Sequence, residues 1–179
     1  VDAVAGERMS RNHALTGVER HFGKNEVIVS KTDTKGIITY ANEVFLRIAD
    51  YNLEEVLGKP HNLIRHPDMP KIVYRLLWER LKSGKEIFAY VVNRTKYGDH
   101  YWVFAHATPS FDSKKNIVGM HSNRRCPDPA AVKTIEPIYK LLKQEEAKHS
   151  MAKDGMDAAF ALLSSVLADK GVSYDEFIL

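Results

Sequence analysis

Cysteine is nearly absent from this chain: Cys126 stands alone, so no intrachain disulfide can form and a disulfide-stapled secreted scaffold is excluded. Long apolar runs are missing too. No stretch approaches the roughly 18 consecutive apolar residues that a spanning helix needs, and no basic start followed by an apolar run suggests a secretion signal. The expectation is a soluble, cytoplasmic chain with no direct membrane insertion. Charge of one sign is scarce as well. With 26 basic and 23 acidic side chains spread along the sequence, the formal charge of +3 is too weak a bias for a nucleic-acid partner. Short doublets such as Lys114-Lys115 and Arg124-Arg125 read as solvated edges. The motifs of common enzymes are absent: no Walker-type phosphate loop, no G-x-G-x-x-G after a strand, and no serine nucleophile elbow. The chain reads as a binding protein and not an enzyme.

What is present is a core-forming composition. Hydrophobic residues make up 44% of 179, enough for one buried core with flanking helices but not for two full domains. Val1 to Arg8 precede Met9 and read as a vector-derived remnant. Residues 1–24 are expected to form an N-terminal arm or short helix, 25–126 the folded domain, and 127–179 a helical extension.

Along the chain, Glu26–Ser30 and Ile37–Tyr40 are β-rich and flank Thr-Asp-Thr-Lys-Gly36, the chemistry of a hairpin turn. Beyond Asn42 the apolar period lengthens. Phe45, Ile48 and Ala49 predict a helix, Leu53–Leu57 a second one closed by Gly58, and Pro60–Pro70 a helix-poor segment. Ile72, Val73, Leu76, Leu77 and Leu81 predict a helix opened by Met69-Pro70 and ended by Gly84. Three strands follow over 86–94, 100–110 and 117–124, with Tyr101, Val103, Ala105 and Ala107 sharing one face. Amphipathic helices are predicted over 129–149 and 155–170. Their apolar side chains, Phe160, Leu163, Val166 and Leu167 among them, need burial against the sheet or in a homodimer. This order closes naturally as an α+β fold: a five-stranded antiparallel sheet with short helices on one face and flanking N- and C-terminal helices.

Specific residues carry a family resemblance. Asp33, Gly36 and the run Ile37–Asn42 resemble the common opening of PAS domains. His61-Asn-Leu-Ile-Arg-His-Pro-Asp-Met-Pro70, Asn93-Arg-(x)3-Gly98-Asp-His-Tyr-Trp102 and Glu136-Pro-Ile-Tyr139 resemble the PAS domain of bacterial aerotaxis receptors, over Glu26 to Leu142. The resemblance implies noncovalent FAD, redox or oxygen sensing, and a chemoreceptor or histidine-kinase partner. Carried over by position, it implies Asn42, Arg65, His66, Asp68, Trp78 and Asn93 as the flavin-binding residues.

The chemistry suits the role. Arg65 offers a fork of donors for phosphate, with His66 and Asp68 beside it. Asn42 and Asn93 each pair a donor with an acceptor, and Trp78 offers an aromatic face. Each residue also has a plainer reading. Arg65, His66 and Asp68 can brace an irregular proline-rich loop. Asn42 can cap a helix, and Trp78 can belong to the core. Asn93, an amide within a β run, calls for either a ligand or a buried network. Two further readings of the fold stay open. One is a haem gas sensor using His61, His66, His106 or His121, and the other is a ligand-free dimerisation module. Light-sensing flavin PAS domains place a reactive cysteine in the helical segment, where this chain has none, so photoadduct chemistry is not expected.

Overall fold

The computed structural model describes residues 13–179. Five strands, β1 (Ile28–Thr32), β2 (Ile38–Ala41), β3 (Ile87–Arg94), β4 (His100–Phe111) and β5 (Ile117–Arg125), form one sheet in the order β2-β1-β5-β4-β3, with every pairing antiparallel. The β1–β2 hairpin is set by its turn. Asp33 Oδ1 accepts the backbone N–H groups of Lys35 (2.8 Å) and Ile37 (2.9 Å), and Gly36 takes φ +82°.

Three helices, α1 (Glu43–Ala49), α2 (Leu53–Val56) and α3 (Lys71–Lys82), and a 3-10 turn at His61–Ile64 cover one face of the sheet. The apolar stripe of α1 buries Phe45, Ile48 and Ala49, while α3 buries Ile72 and Val73 in the cluster of Ile28, Ala89, Tyr101, Val103 and Ala105, and Leu81 in a second one with Ile87, Ala107 and Met120. Backbone bridges Ile37–Pro60 and Arg65–Asn93 pin the segment between α2 and α3 to opposite sides of the sheet.

The N-terminal arm is extended over residues 13–24, not helical; residues 1–12 of the expected arm lie outside the described residues. Its backbone bonds to the β3–β4 turn through Thr16 N–H to Gly98 O (3.1 Å), Arg20 N–H to His100 O (2.7 Å) and His100 N–H to Val18 O (2.9 Å). A Cβ at Gly98 would sit 2.1 Å from Ala14 O, so the arm can lie here only across a glycine. Too few apolar residues recur at helical spacing to give this stretch a buried helical face, and pairing with the turn satisfies its polar backbone instead.

The C-terminal extension forms α4 (Pro129–Ala147), α5 (Ala152–Lys170) and a short α6 (Tyr174–Ile178). These helices gather around the outer edge of β3 and against α3. The Tyr139 hydroxyl donates to Tyr90 O (2.7 Å) and the Tyr174 hydroxyl to Phe88 O (3.0 Å), which closes an edge that would otherwise present free carbonyls. Ion pairs Arg75–Asp157 and Arg80–Asp175 tie α3 to α5 and α6. Burial of the predicted stripe is partial: Leu163 is buried and Val166 and Leu167 half-buried, whereas Phe160 stays exposed.

Candidate functional site

Between the inner face of the sheet and its helical cover lies a cavity of about 290 Å³. Its floor is built from short side chains on neighbouring strands: Ser30 on β1, Ala105 and Ala107 on β4, and Ser122 on β5. Large residues at these inward positions would fill the space, so the cavity is written into the period-2 face of the sheet. Tyr74, Leu77 and Trp78 of α3, with His61, Ile64 and Arg65, form the opposite wall.

Of the six residues expected at a ligand, Arg65, Trp78 and Asn93 line this cavity. Arg65 is exposed on one side, and its guanidinium lies 3.6 Å from the centroid of the Tyr74 ring. Trp78 packs its indole against Gly36, where a Cβ would meet it at 3.1 Å. Asn93 is 4% exposed, and its Nδ2 makes no well-formed hydrogen bond among the described residues, although the buried Tyr101 hydroxyl lies beside its amide.

The other three do not line the cavity. Asn42 caps α1 and spends its amide on backbone: Oδ1 accepts from Phe45 N–H and Val29 N–H (3.0 Å each), and Nδ2 donates to Val27 O (2.8 Å). His66 is buried with Nδ1 accepting from Asp68 N–H (3.1 Å) and its ring edge-on to His100, while the Asp68 side chain is 81% exposed. Asn42 and His66 thus brace the backbone around the site, while the Asp68 carboxylate faces water. Asn42→Ala is expected to cost about 1–2 kcal/mol, the value of a lost cap and its neighbouring bonds. A urea titration measures that cost, and ligand uptake by the folded variant should be unchanged.

The doublet Arg124-Arg125 was expected at a solvated edge, and for Arg124 the structure overturns that, because strand alternation turns it into the cavity. Arg124 is 3% exposed and lines the floor. Its Nη2 donates to Ser30 Oγ, and Ser30 Oγ lies 2.9 Å from His61 Nε2. Since the serine hydroxyl accepts from the guanidinium, its own proton points to His61, which assigns the imidazole as neutral with Nε2 the acceptor. Burial, reinforced by the charges of Arg124 and Arg65, pushes the His61 imidazole down to about 3. Burial also lowers Arg124 to about 10, so it stays charged at neutral pH. The guanidinium rests 5.2 Å from the Phe45 ring centroid, and its Nε and Nη1 have no partner among the described residues. Tyr74, which also lines this space, is raised to about 12 by burial.

A signal for Arg124 was present in the alternation of β5. Ser122 and Arg124 point inward and Asn123 and Arg125 outward, so the doublet is one buried cation beside one surface cation. The outer face carries His106, paired with Glu86 at 2.6 Å. Among the described residues no group of His, Cys, Asp and Glu is arranged to hold a metal ion, and no helix is long and apolar enough to cross a membrane.

Comparison with known proteins agrees with this geometry. Residues 38–124 match the family model described as the PAS fold. The chain is 39% identical over 134 residues to the aerotaxis receptor of Escherichia coli, a match spanning 75% of this chain and 26% of the receptor. It is 29% identical over 110 residues to the nitrogen fixation regulatory protein of Klebsiella pneumoniae, covering 60% of this chain and 21% of that protein. The chain thus spans about a quarter or less of these relatives. Solved structures share the fold. The light-state LOV domain of the blue-light photoreceptor Aureochrome1 aligns with a TM-score of 0.54 at 22% identity, over 60% of this chain and 86% of that one. A light-oxygen-voltage domain studied with a flavin analogue aligns with 0.55 at 23% identity, over 69% and 90%. Sheet order, helical cover, the residue 38–124 match and the receptor identity converge: the chain carries a PAS domain and belongs to the aerotaxis-receptor family of such domains.

Proposed function

We propose that this chain is a cytoplasmic, non-enzymatic PAS sensor that binds FAD in the cavity and passes redox or oxygen state to a chemoreceptor or two-component partner. One observation carries the reading: a buried cavity whose unpaired polar atoms include three donors, Asn93 Nδ2 and Arg124 Nε and Nη1. Leaving such donors unpaired costs about 1–3 kcal/mol each, and a ligand edge rich in acceptors offsets that cost. An isoalloxazine has such an edge, with two carbonyl oxygens and ring nitrogens. When bound, it supplies reversible electron uptake.

The volume, about 290 Å³, sits at the lower end of the roughly 300–1,000 Å³ of ligand sites. That suits a ring system inside, with the remainder of the cofactor leaving past Arg65, whose exposed guanidinium fits a phosphate. Asn93 can turn either its donor or its acceptor inward, so it can follow a change in ligand protonation. β3, which holds Asn93, has its outer edge capped by the hydroxyls of Tyr139 and Tyr174. A change at Asn93 therefore has a direct route to α4 and α6, the surface offered to a partner.

One observation favours a second reading. His61, neutral and on the cavity wall, has the form of a haem ligand, although its Nε2 is engaged by Ser30. Purified protein separates the alternatives. A flavin spectrum bleached by dithionite supports FAD, a Soret band supports haem, and a colourless chain that ignores added FAD supports a ligand-free, dimerising module. Given FAD, Arg65→Ala and Asn93→Ala are each expected to weaken binding about tenfold, the value of one well-made hydrogen bond. Equilibrium titration of each apoprotein with FAD measures this, and unchanged affinity in both variants contradicts the assignment.

A further inference from the structure

We infer that Glu146 is a positioning residue for the ligand site: acting through α3, its carboxylate couples occupancy of the cavity to the docking of the α4–α5 pair. The inference rests on the flavin reading above and extends it to the C-terminal extension, beyond the residues that line the cavity.

α3 faces two ways. Tyr74, Leu77, Trp78 and Leu81, spaced i, i+3, i+4 and i+7, line the cavity. The C-terminal extension grips the same helix at its start, middle and end. Ile72 N–H donates to Glu146 Oε1 (2.9 Å), Arg75 pairs with Asp157, and Arg80 pairs with Asp175. These contacts are not equal. Asp157 and Asp175 are nearly half exposed, so solvent screens their ion pairs to little net worth.

Glu146 meets a different need. α3 opens after Pro70 with no side-chain cap and no acidic residue in its first turn, and Lys71 adds a positive charge to the positive end of the helix dipole. The Glu146 carboxylate supplies what that end lacks: an acceptor for an orphan N–H and a negative charge. Its Oε2 is buried with no hydrogen-bond partner among the described residues, so the carboxylate has left water to reach this place. Gly155 of α5 packs directly behind it. A Cβ there would lie 2.7 Å from Glu146 O and 3.2 Å from Glu146 Cα. Both atoms belong to helix backbone, which cannot swing aside as a side-chain tip can. An added methyl must therefore shift Glu146, and with it the cap on α3.

The coupling follows from this arrangement. A ring held against Tyr74 and Trp78 requires α3 in one position, and the cap from α4 keeps it there. By linkage, the factor by which docking of α4–α5 strengthens ligand binding is the factor by which the ligand strengthens docking.

The test compares wild type, E146A, E146Q and G155A in two measurements. One is FAD affinity, by equilibrium titration of the folded apoprotein. The other is hydrogen exchange at the α4 and α5 amides, with and without saturating FAD. E146A and G155A are expected to weaken FAD binding at least about fivefold, the lower end of site-to-site couplings, although neither residue lines the cavity. E146Q, which keeps an acceptor for Ile72 N–H, is expected to recover most of the loss. FAD is expected to slow exchange over α4 and α5 more in wild type than in E146A. An E146A protein that unfolds more easily yet binds FAD like wild type, with equal slowing in both, makes Glu146 a fold-stabilising cap only. That result overturns the inference and leaves the flavin reading standing. If E146A does not fold, G155A, which keeps the carboxylate, decides by the same two measurements. A wild type that takes up no FAD overturns the flavin reading, and this inference with it.

Discussion

Replacing Phe45 with alanine is expected to destabilise the chain by about 3–5 kcal/mol, the range for truncating a fully buried aromatic, and to abolish retention of the flavin. Phe45 has no exposed surface, and Asn42, which caps its helix α1 at Phe45 N–H, fastens that helix to Val29 of β1 and to Val27 just before it. That anchoring keeps the surroundings from collapsing into the vacated space, so the cavity term of the cost is retained in full. The ring also supports the polar floor: the Arg124 guanidinium lies over it at 5.2 Å, and the His61 ring meets it edge-on at 6.2 Å. Without the ring the guanidinium loses the surface that positions it, and the donors offered to the ligand lose their geometry. Urea unfolding of the apoprotein gives the stability change, and FAD titration of the folded fraction gives the binding change. Phe45→Leu, which conserves most of the volume, is expected to cost about 1 kcal/mol. A loss below about 1.5 kcal/mol for Phe45→Ala contradicts the packing described.

Acid is expected to loosen the apoprotein well above the range in which carboxylates titrate. The His61 imidazole ordinarily titrates near 6.5 but is held down to about 3 in the fold. Between those values the unfolded chain binds a proton that the folded chain refuses, so stability falls as the pH drops below 6.5. Each pH unit in that window is worth up to about 1.4 kcal/mol, giving a loss of about 2–3 kcal/mol between pH 6.5 and 4.5. His66, also lowered chiefly by burial, adds in the same direction. The stabilising carboxylates Asp99, Asp157 and Glu55 are lowered by hydrogen bonding from below 5, so their contribution is lost at still lower pH and does not mask the histidines. Urea midpoints measured across this range should slope downward with acid. His61→Gln, which can still accept from Ser30, should remove most of the slope. A flat wild-type profile between pH 6.5 and 4.5 places His61 in contact with bulk water.

Much of the fold was legible because its period was clean. The switch from β alternation to helical spacing at Asn42 located α1, and the Asp33–Gly36 turn located the hairpin. Three kinds of feature were not legible, each for a physical reason. Motif position does not fix side-chain direction: His66 and Asp68 sit inside a cavity-lining motif, yet the imidazole turns back to accept a backbone N–H and the carboxylate turns to water. Charge in a doublet reads as surface unless strand alternation is applied residue by residue, which is how Arg124 was wrongly taken for a solvated edge while Arg125 fitted that reading. An amphipathic stripe reports that a helix needs a partner but not which one. α4 and α6 chose the open edge of β3, through tyrosine hydroxyls that no hydrophobic pattern announces. α6 was not expected at all: its one local signal is the capping box Ser173-x-x-Glu176, which the sequence reading missed, on a helix too short to show a period.

The account stands on a cavity floor whose unpaired donors are kept for a ligand's electron-rich edge. Side-chain NMR of the apoprotein titrated with FAD addresses this most directly, through the Nε–H signal of Arg124 and the Nδ2 signals of Asn93 and Asn42. The expected result is a saturable shift of the Arg124 and Asn93 signals with the Asn42 signals unmoved. Signals of Arg124 and Asn93 that stay in place at saturating FAD, or a shift confined to Asn42, contradict it.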